Sequence, residues 1–86
     1  MKEHEKILKA LANKRRLEII KYLGHKKTAT VGAIAAHLKL SFKSTSRHLA
    51  VLYGADILEK EQRSLSGFYS ISSKLGQFTK TIISML

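Results

Sequence analysis

Ser41-Phe42-Lys43-Ser44-Thr45-Ser46-Arg47-His48-Leu49 is the stretch on which the fold turns. Ser41 is a residue type that caps helices, its hydroxyl accepting a backbone N–H of the first turn. Thr45, Leu49 and Leu52 then recur at i, i+4 and i+7, one face of a helix expected over residues 42–55. Turning those three inward sends Lys43, Arg47 and Ala50 to the opposite face, with Ser44 and Ser46 flanking. Upstream, Val31, Ile34, Ala35 and Leu38 share a face of a short helix, and Lys39-Leu40 separates the two. Short helix, tight turn and longer helix form the helix-turn-helix layout, with Ala35 small where the helices cross.

Working outward, Asn13 offers an N-cap to a helix carrying Leu17, Ile20 and Leu23 on one face, which Gly24 is expected to end in a left-handed conformation. Ile7, Leu8 and Leu11 mark an earlier helix. Beyond the fourth helix, Ile57 to Glu61 and Phe68 to Ile71 are expected to be strands joined by a polar loop containing Arg63, Ser64, Ser66 and Gly67, a β-hairpin wing. From Ser73 onward, Leu75, Phe78, Ile82 and Met85 recur at spacings of three and four, with Leu86 alongside, predicting a last amphipathic helix. Proline is absent and no linker composition interrupts the chain. Residues 1–86 are therefore expected to form a single domain of winged helix-turn-helix class, mainly α with a small β-hairpin: four helices, a wing and a C-terminal fifth helix.

So short a chain has little core to spare, and with no cysteine it has neither a disulfide nor a thiolate metal site. Oligomerisation is the natural supplement. Ile7 and Leu11 of the first helix and Leu75, Phe78, Ile82 and Met85 of the last are assigned to a dimer interface.

Sixteen Lys and Arg against six acids leave a formal charge of +10, and no Asp or Glu occurs between Glu18 and Asp56. A polyanion rewards such a surface, because each phosphate neutralised releases condensed counterions. Double-stranded DNA is the expected partner, read by the helix that starts after Ser41. Arg47 suits guanine O6 and N7, Lys43 suits guanine or a phosphate, and Ser41, Ser44 and Ser46 suit base edges or phosphates. Phe42 either touches a thymine methyl or, the favoured reading, covers the neighbouring helix, and Arg63 at the wing tip either enters a minor groove or is a solvated loop residue. His48, at the edge of the buried face, is read as a packing or hydrogen-bonding residue in preference to a base contact; Lys14, Arg15, Arg16, Lys26 and Lys27 either reach phosphates or are simply solvated.

Catalysis is not expected: the serines near His48 lack an orienting acid, and Glu59 and Glu61 alternate with Lys60 on a strand. The start of the chain is charged in both signs, with no apolar signal core, and no apolar run approaches bilayer length, so a cytoplasmic location without membrane contact is expected.

From Ile7 to about Ile71, about three quarters of the chain, the sequence resembles the ArsR-type winged helix-turn-helix repressors. The matching words are Leu11-Ala12-Asn13 followed by Arg16-Leu17-Glu18-Ile19-Ile20, then Ile34-Ala35 with Leu38, then Leu40-Ser41 and Ser44-Thr45-Ser46-Arg47-His48-Leu49 with Leu52, and Gly67 two residues before Tyr69. The resemblance implies DNA contacts at the matching positions after Ser41. It departs at Lys39 and Asp56, where Gly is common. Metal-responsive members carry a cysteine pair before or within the third helix, or Asp, Glu and His ligands on the last. Here those regions read Thr28-Ala29-Thr30-Val31 and, from Ser73 to Leu86, contain none of these residues. Histidines 4, 25, 37 and 48 lie in different elements, so neither a metal nor another cofactor is expected, and an inducer is left open. The expected function is a homodimeric repressor on an inverted repeat; the alternative is a non-specific architectural nucleic-acid-binding protein.

Overall fold

All of residues 1–86 are described in the computed structural model. The elements follow as α1 (Lys2–Leu11), α2 (Lys14–Lys26), β1 (Ala29–Thr30), α3 (Val31–Leu38), α4 (Phe42–Gly54), β2 (Leu58–Arg63), β3 (Ser66–Ile71) and α5 (Gln77–Ser84). This is a winged helix-turn-helix. None of its helices is long and apolar enough to cross a membrane.

The core forms where the apolar faces of the helices meet the base of the wing. Ile19, Ile20 and Leu23 of α2, Ile34 and Leu38 of α3, Leu49 and Leu52 of α4, and Ile57 with Leu58 make one continuous cluster. Thr45 is fully buried with them, and its hydroxyl donates to the Ser41 carbonyl at 2.9 Å; no buried side-chain nitrogen or oxygen is left without a partner.

Local chemistry sets the helix starts as expected. Asn13 Oδ1 accepts from Arg16 N at 3.1 Å, and Ser41 Oγ accepts from Ser44 N at 3.0 Å. Thr30 Oγ1 does the same for Ala33 N at 3.2 Å. The helix ends are less obvious. In α3, Leu40 N donates to Ala35 O at 3.0 Å and Lys39 N to Ala36 O at 3.3 Å; in α4, Ile57 N donates to Leu52 O and Asp56 N to Tyr53 O, both at 3.0 Å. Both are Schellman motifs, with Lys39 (φ 58°) and Asp56 (φ 60°) in the left-handed position. The paired bonds and the apolar residue that follows, Leu40 or Ile57, hold a conformation that Gly would adopt more freely. The turn between α3 and α4 is thus fixed despite Lys39.

Several expectations are corrected. Gly24 does not end α2, which continues to Lys26 before Lys27 takes φ 72°. The expected hairpin is a three-stranded antiparallel sheet in the order β1-β3-β2, because Ala29 and Thr30 pair with Tyr69 and Phe68. The strands of the wing extend to Arg63 and Ser66, leaving Ser64-Leu65 as the turn, so Gly67 lies in β3. A Cβ on Gly67 would stand 2.7 Å from Lys60 Cε, on the path by which Lys60 reaches the Tyr69 ring. The last helix begins at Gln77, leaving Leu75 outside it. Leu11, expected at a subunit interface, is only 5% exposed and belongs to the chain's own core, because the turn into α2 folds it inward.

Lys39→Gly is expected to stay within about 1 kcal/mol of wild type in urea unfolding, relief of the left-handed backbone offsetting a looser unfolded chain. Lys39→Val is expected to lose about 2 kcal/mol, since a β-branched side chain fits that region worst. Equal stabilities would show that the turn does not demand this backbone.

Candidate nucleic-acid interface

With Thr45, Leu49 and Leu52 buried, α4 shows the opposite side to solvent. Ser41, Phe42, Lys43, Ser44 and Arg47 are exposed and Ser46 is half-buried, which brings together the whole set expected from the sequence on that helix. Neither Lys43 nor Arg47 has a carboxylate partner: the chain's ion pairs are Lys9–Glu5, Arg15–Glu18 and Arg63–Glu61. Two unneutralised cations and hydrogen-bonding hydroxyls thus share the N-terminal turns of one helix, with no acid to repel a phosphate. Such a surface can bond base edges and phosphate oxygens together.

Phe42 does not cover a neighbouring helix. It is 64% exposed and lies outside the core cluster and the residues packed against it.

The wing differs from expectation at its tip. Arg63 closes β2, but its guanidinium folds back, Nη2 lying 2.7 Å and Nε 2.8 Å from Glu61 Oε1, with the charge 4.7 Å from the centre of the Phe68 ring. The residue at the tip is Leu65, 97% exposed, and Ser64 beside it takes φ 55°. Leu65 gave no signal in sequence, because an apolar residue between polar ones looks like a stray core position. The Arg63 pair is exposed, and such pairs contribute little to stability.

The basic run at the start of α2 divides by role. Lys14 is exposed and Arg15 pairs with Glu18 at 3.2 Å. Arg16 is structural: Nε donates to Ala10 O at 2.6 Å and Nη2 to Lys9 O at 3.4 Å, capping the carbonyl end of α1, while Nη1 lies 3.3 Å from His48 Nδ1. A guanidinium only donates, so Nδ1 accepts and the imidazole proton resides on Nε2. One side chain therefore joins α1, α2 and α4, and it engages His48 in a hydrogen bond within the fold. Burial, then the charge of Arg16 and then that of Arg15, hold the His48 pKa below its ordinary 6.5.

Residues 13–60 match the family model described as bacterial regulatory protein, arsR family. The chain belongs to that family. It is 36% identical over 67 residues to the transcriptional activator HlyU of Vibrio cholerae, a match covering 78% of this chain and 61% of that protein. The chain thus spans about three fifths of this curated relative's length. Among solved structures, HlyU from Vibrio cholerae superposes with a TM-score of 0.83 at 30% identity, covering 96% of this chain and 86% of that one. The transcriptional repressor PagR of Bacillus anthracis gives 0.82 at 28% identity, covering 98% and 92%. A homodimeric winged helix-turn-helix DNA-binding domain from Mycobacterium bovis gives 0.84 at 25% identity, covering 98% and 74%.

The depressed His48 pKa has a definite sign for stability. Below pH 6.5 the unfolded chain takes up a proton that the folded chain refuses, so this contribution is present above 6.5 and is lost as pH falls through the folded value. Melting between about pH 7.5 and 5.5 is expected to show wild type losing stability relative to His48→Gln, whose amide oxygen still accepts from Arg16. Parallel curves would remove His48 as the cause.

Proposed function

We propose that this protein is a homodimeric transcriptional repressor that binds double-stranded DNA at an inverted repeat, with α4 in the major groove and the wing against the adjacent backbone. The observation that carries the reading is the exposed face of α4, where Lys43 and Arg47 stand unpaired among serines. Arg47 reads guanine, Lys43 takes guanine or a phosphate, Ser41, Ser44 and Ser46 fix the register, and Arg63 exchanges Glu61 for a phosphate.

The dimer forms through α1 and α5. Leu8 is 48% and Met85 72% exposed, with Leu86 alongside, while Ile7, Leu75, Phe78 and Ile82 are half-buried and available at their outer edges. His4 stacks on Phe78 with ring centres 4.0 Å apart, which makes the two helices one surface. The homodimeric state of the Mycobacterium bovis domain supports the arrangement. Two-fold symmetry then sets two recognition helices about 34 Å apart, one turn of duplex. A bound dimer excludes other proteins from the same duplex, hence repression. HlyU is named an activator and PagR a repressor, so a reporter assay measures the sign. The charge of +10 favours a second reading, non-specific architectural binding, in which the bases are not read.

Selection from a random duplex library, followed by affinity measurements across a salt series, separates the two readings. A dyad-symmetric site preferred about a thousandfold over scrambled DNA near physiological salt is expected; equal affinities that fall together with salt would establish the architectural reading. Arg47→Ala should cost about 1–3 kcal/mol on the selected site and relax preference at one base pair, whereas a phosphate-only role would weaken all duplexes alike. Leu8→Glu with Met85→Glu is expected to yield a folded monomer in analytical ultracentrifugation, and a persistent dimer would place the interface elsewhere.

A further inference from the structure

Phe42 is the first residue of α4, the end that a helix-turn-helix carries deepest towards base edges. Its ring is 64% exposed, outside the core cluster, and takes no part in the two ring stacks, His4 on Phe78 and Tyr22 on His37. Its neighbours Ser41, Lys43 and Ser44 are all polar and exposed. A phenyl ring offers no hydrogen bond to a base edge and no charge to a phosphate. The major groove is lined with donors and acceptors, and its one apolar group is the C5 methyl of thymine.

We infer that Phe42 reads a thymine C5 methyl in each half-site. The inference rests on the DNA-reading function proposed above and adds the chemical group recognised. Helical spacing puts Phe42 in the row of Thr45 and Leu49, one turn before Ser46 and to the side of the face centred on Lys43 and Arg47; its ring stays exposed because it stands in the first turn of α4. The thymine therefore lies near the start of α4, at the flank of the base pairs those cations reach. Contact with the methyl covers the ring on binding, and a base without the methyl leaves it facing polar edges or water.

The test uses the selected duplex with each thymine replaced singly by uracil, which removes the methyl and keeps the base-pairing edge. Binding of the full chain is measured by anisotropy at fixed salt. At one thymine position per half-site, uracil is expected to weaken binding about fourfold, the value of burying one methyl-sized group. Phe42→Ala should bind thymine and uracil duplexes alike, whereas Phe42→Leu, still apolar, should keep part of the discrimination. The ring supports nothing in the core, so both variants should melt as wild type does. Uracil tolerated at every position by the wild type, or a thymine preference undiminished in Phe42→Ala, would overturn the inference while leaving a sequence-specific regulator intact. A wild type with no preferred duplex would be seen before any uracil is introduced, and would defeat the parent function and this inference together.

Discussion

One face of α4 is buried without remainder, and the rest of the molecule is arranged around that constraint. Thr45, Leu49 and Leu52 have no exposed surface, and each fully buried leucine contributes about 1.5–3 kcal/mol. Rotating α4 by even a third of a turn would bring Leu49 into water and carry Lys43 or Arg47 towards Ile19 and Ile34. The helix therefore has one orientation, and the face it offers to a partner is the complement of the face it buries. Function at this site is a consequence of packing on the other side.

Two devices keep the helix in place along its axis. Ser41 begins it by a side-chain cap, and the Schellman bonds around Lys39 and Asp56 close the turn before it and the turn after it. Arg16 adds a cross-brace, capping α1 while holding His48 by its unprotonated nitrogen. The arrangement joins the proposed dimer surface on α1 to the reading helix through one guanidinium.

Charge is distributed to suit a partner more than the fold. Three ion pairs, all at the surface, engage only three of the sixteen basic side chains, and exposed pairs add little to stability. The remainder repel one another in the free protein, and a polyanion relieves that repulsion. The same excess of charge supports binding to any duplex, so selectivity has to come from short-range contacts. In the function proposed here those are hydrogen bonds from Arg47 and the serines and the apolar contact of Phe42.

Much of this was legible in the residues because the signals are local. The caps at Asn13 and Ser41 depend on side chains three residues from their partners, and the helical spacing of Thr45, Leu49 and Leu52 states which face is inside. The reading set on α4 follows directly from that spacing. What sequence missed depends on neighbours distant along the chain. Ala29 and Thr30 become a strand only because Phe68 and Tyr69 lie beside them. Arg63 is folded back by nearer neighbours, Glu61 on its own strand and Phe68 across the hairpin, which leaves Leu65 at the tip. Arg16 looked like one more surface cation until the approach of α1 and α4 supplied two carbonyls and an imidazole to hold it. Periodicity and capping were enough to determine where most helices lie and which face of α4 is left to solvent; which cations are free to act, and which apolar residues stay exposed, was decided only when the elements packed, because pairing and burial are properties of neighbours in space.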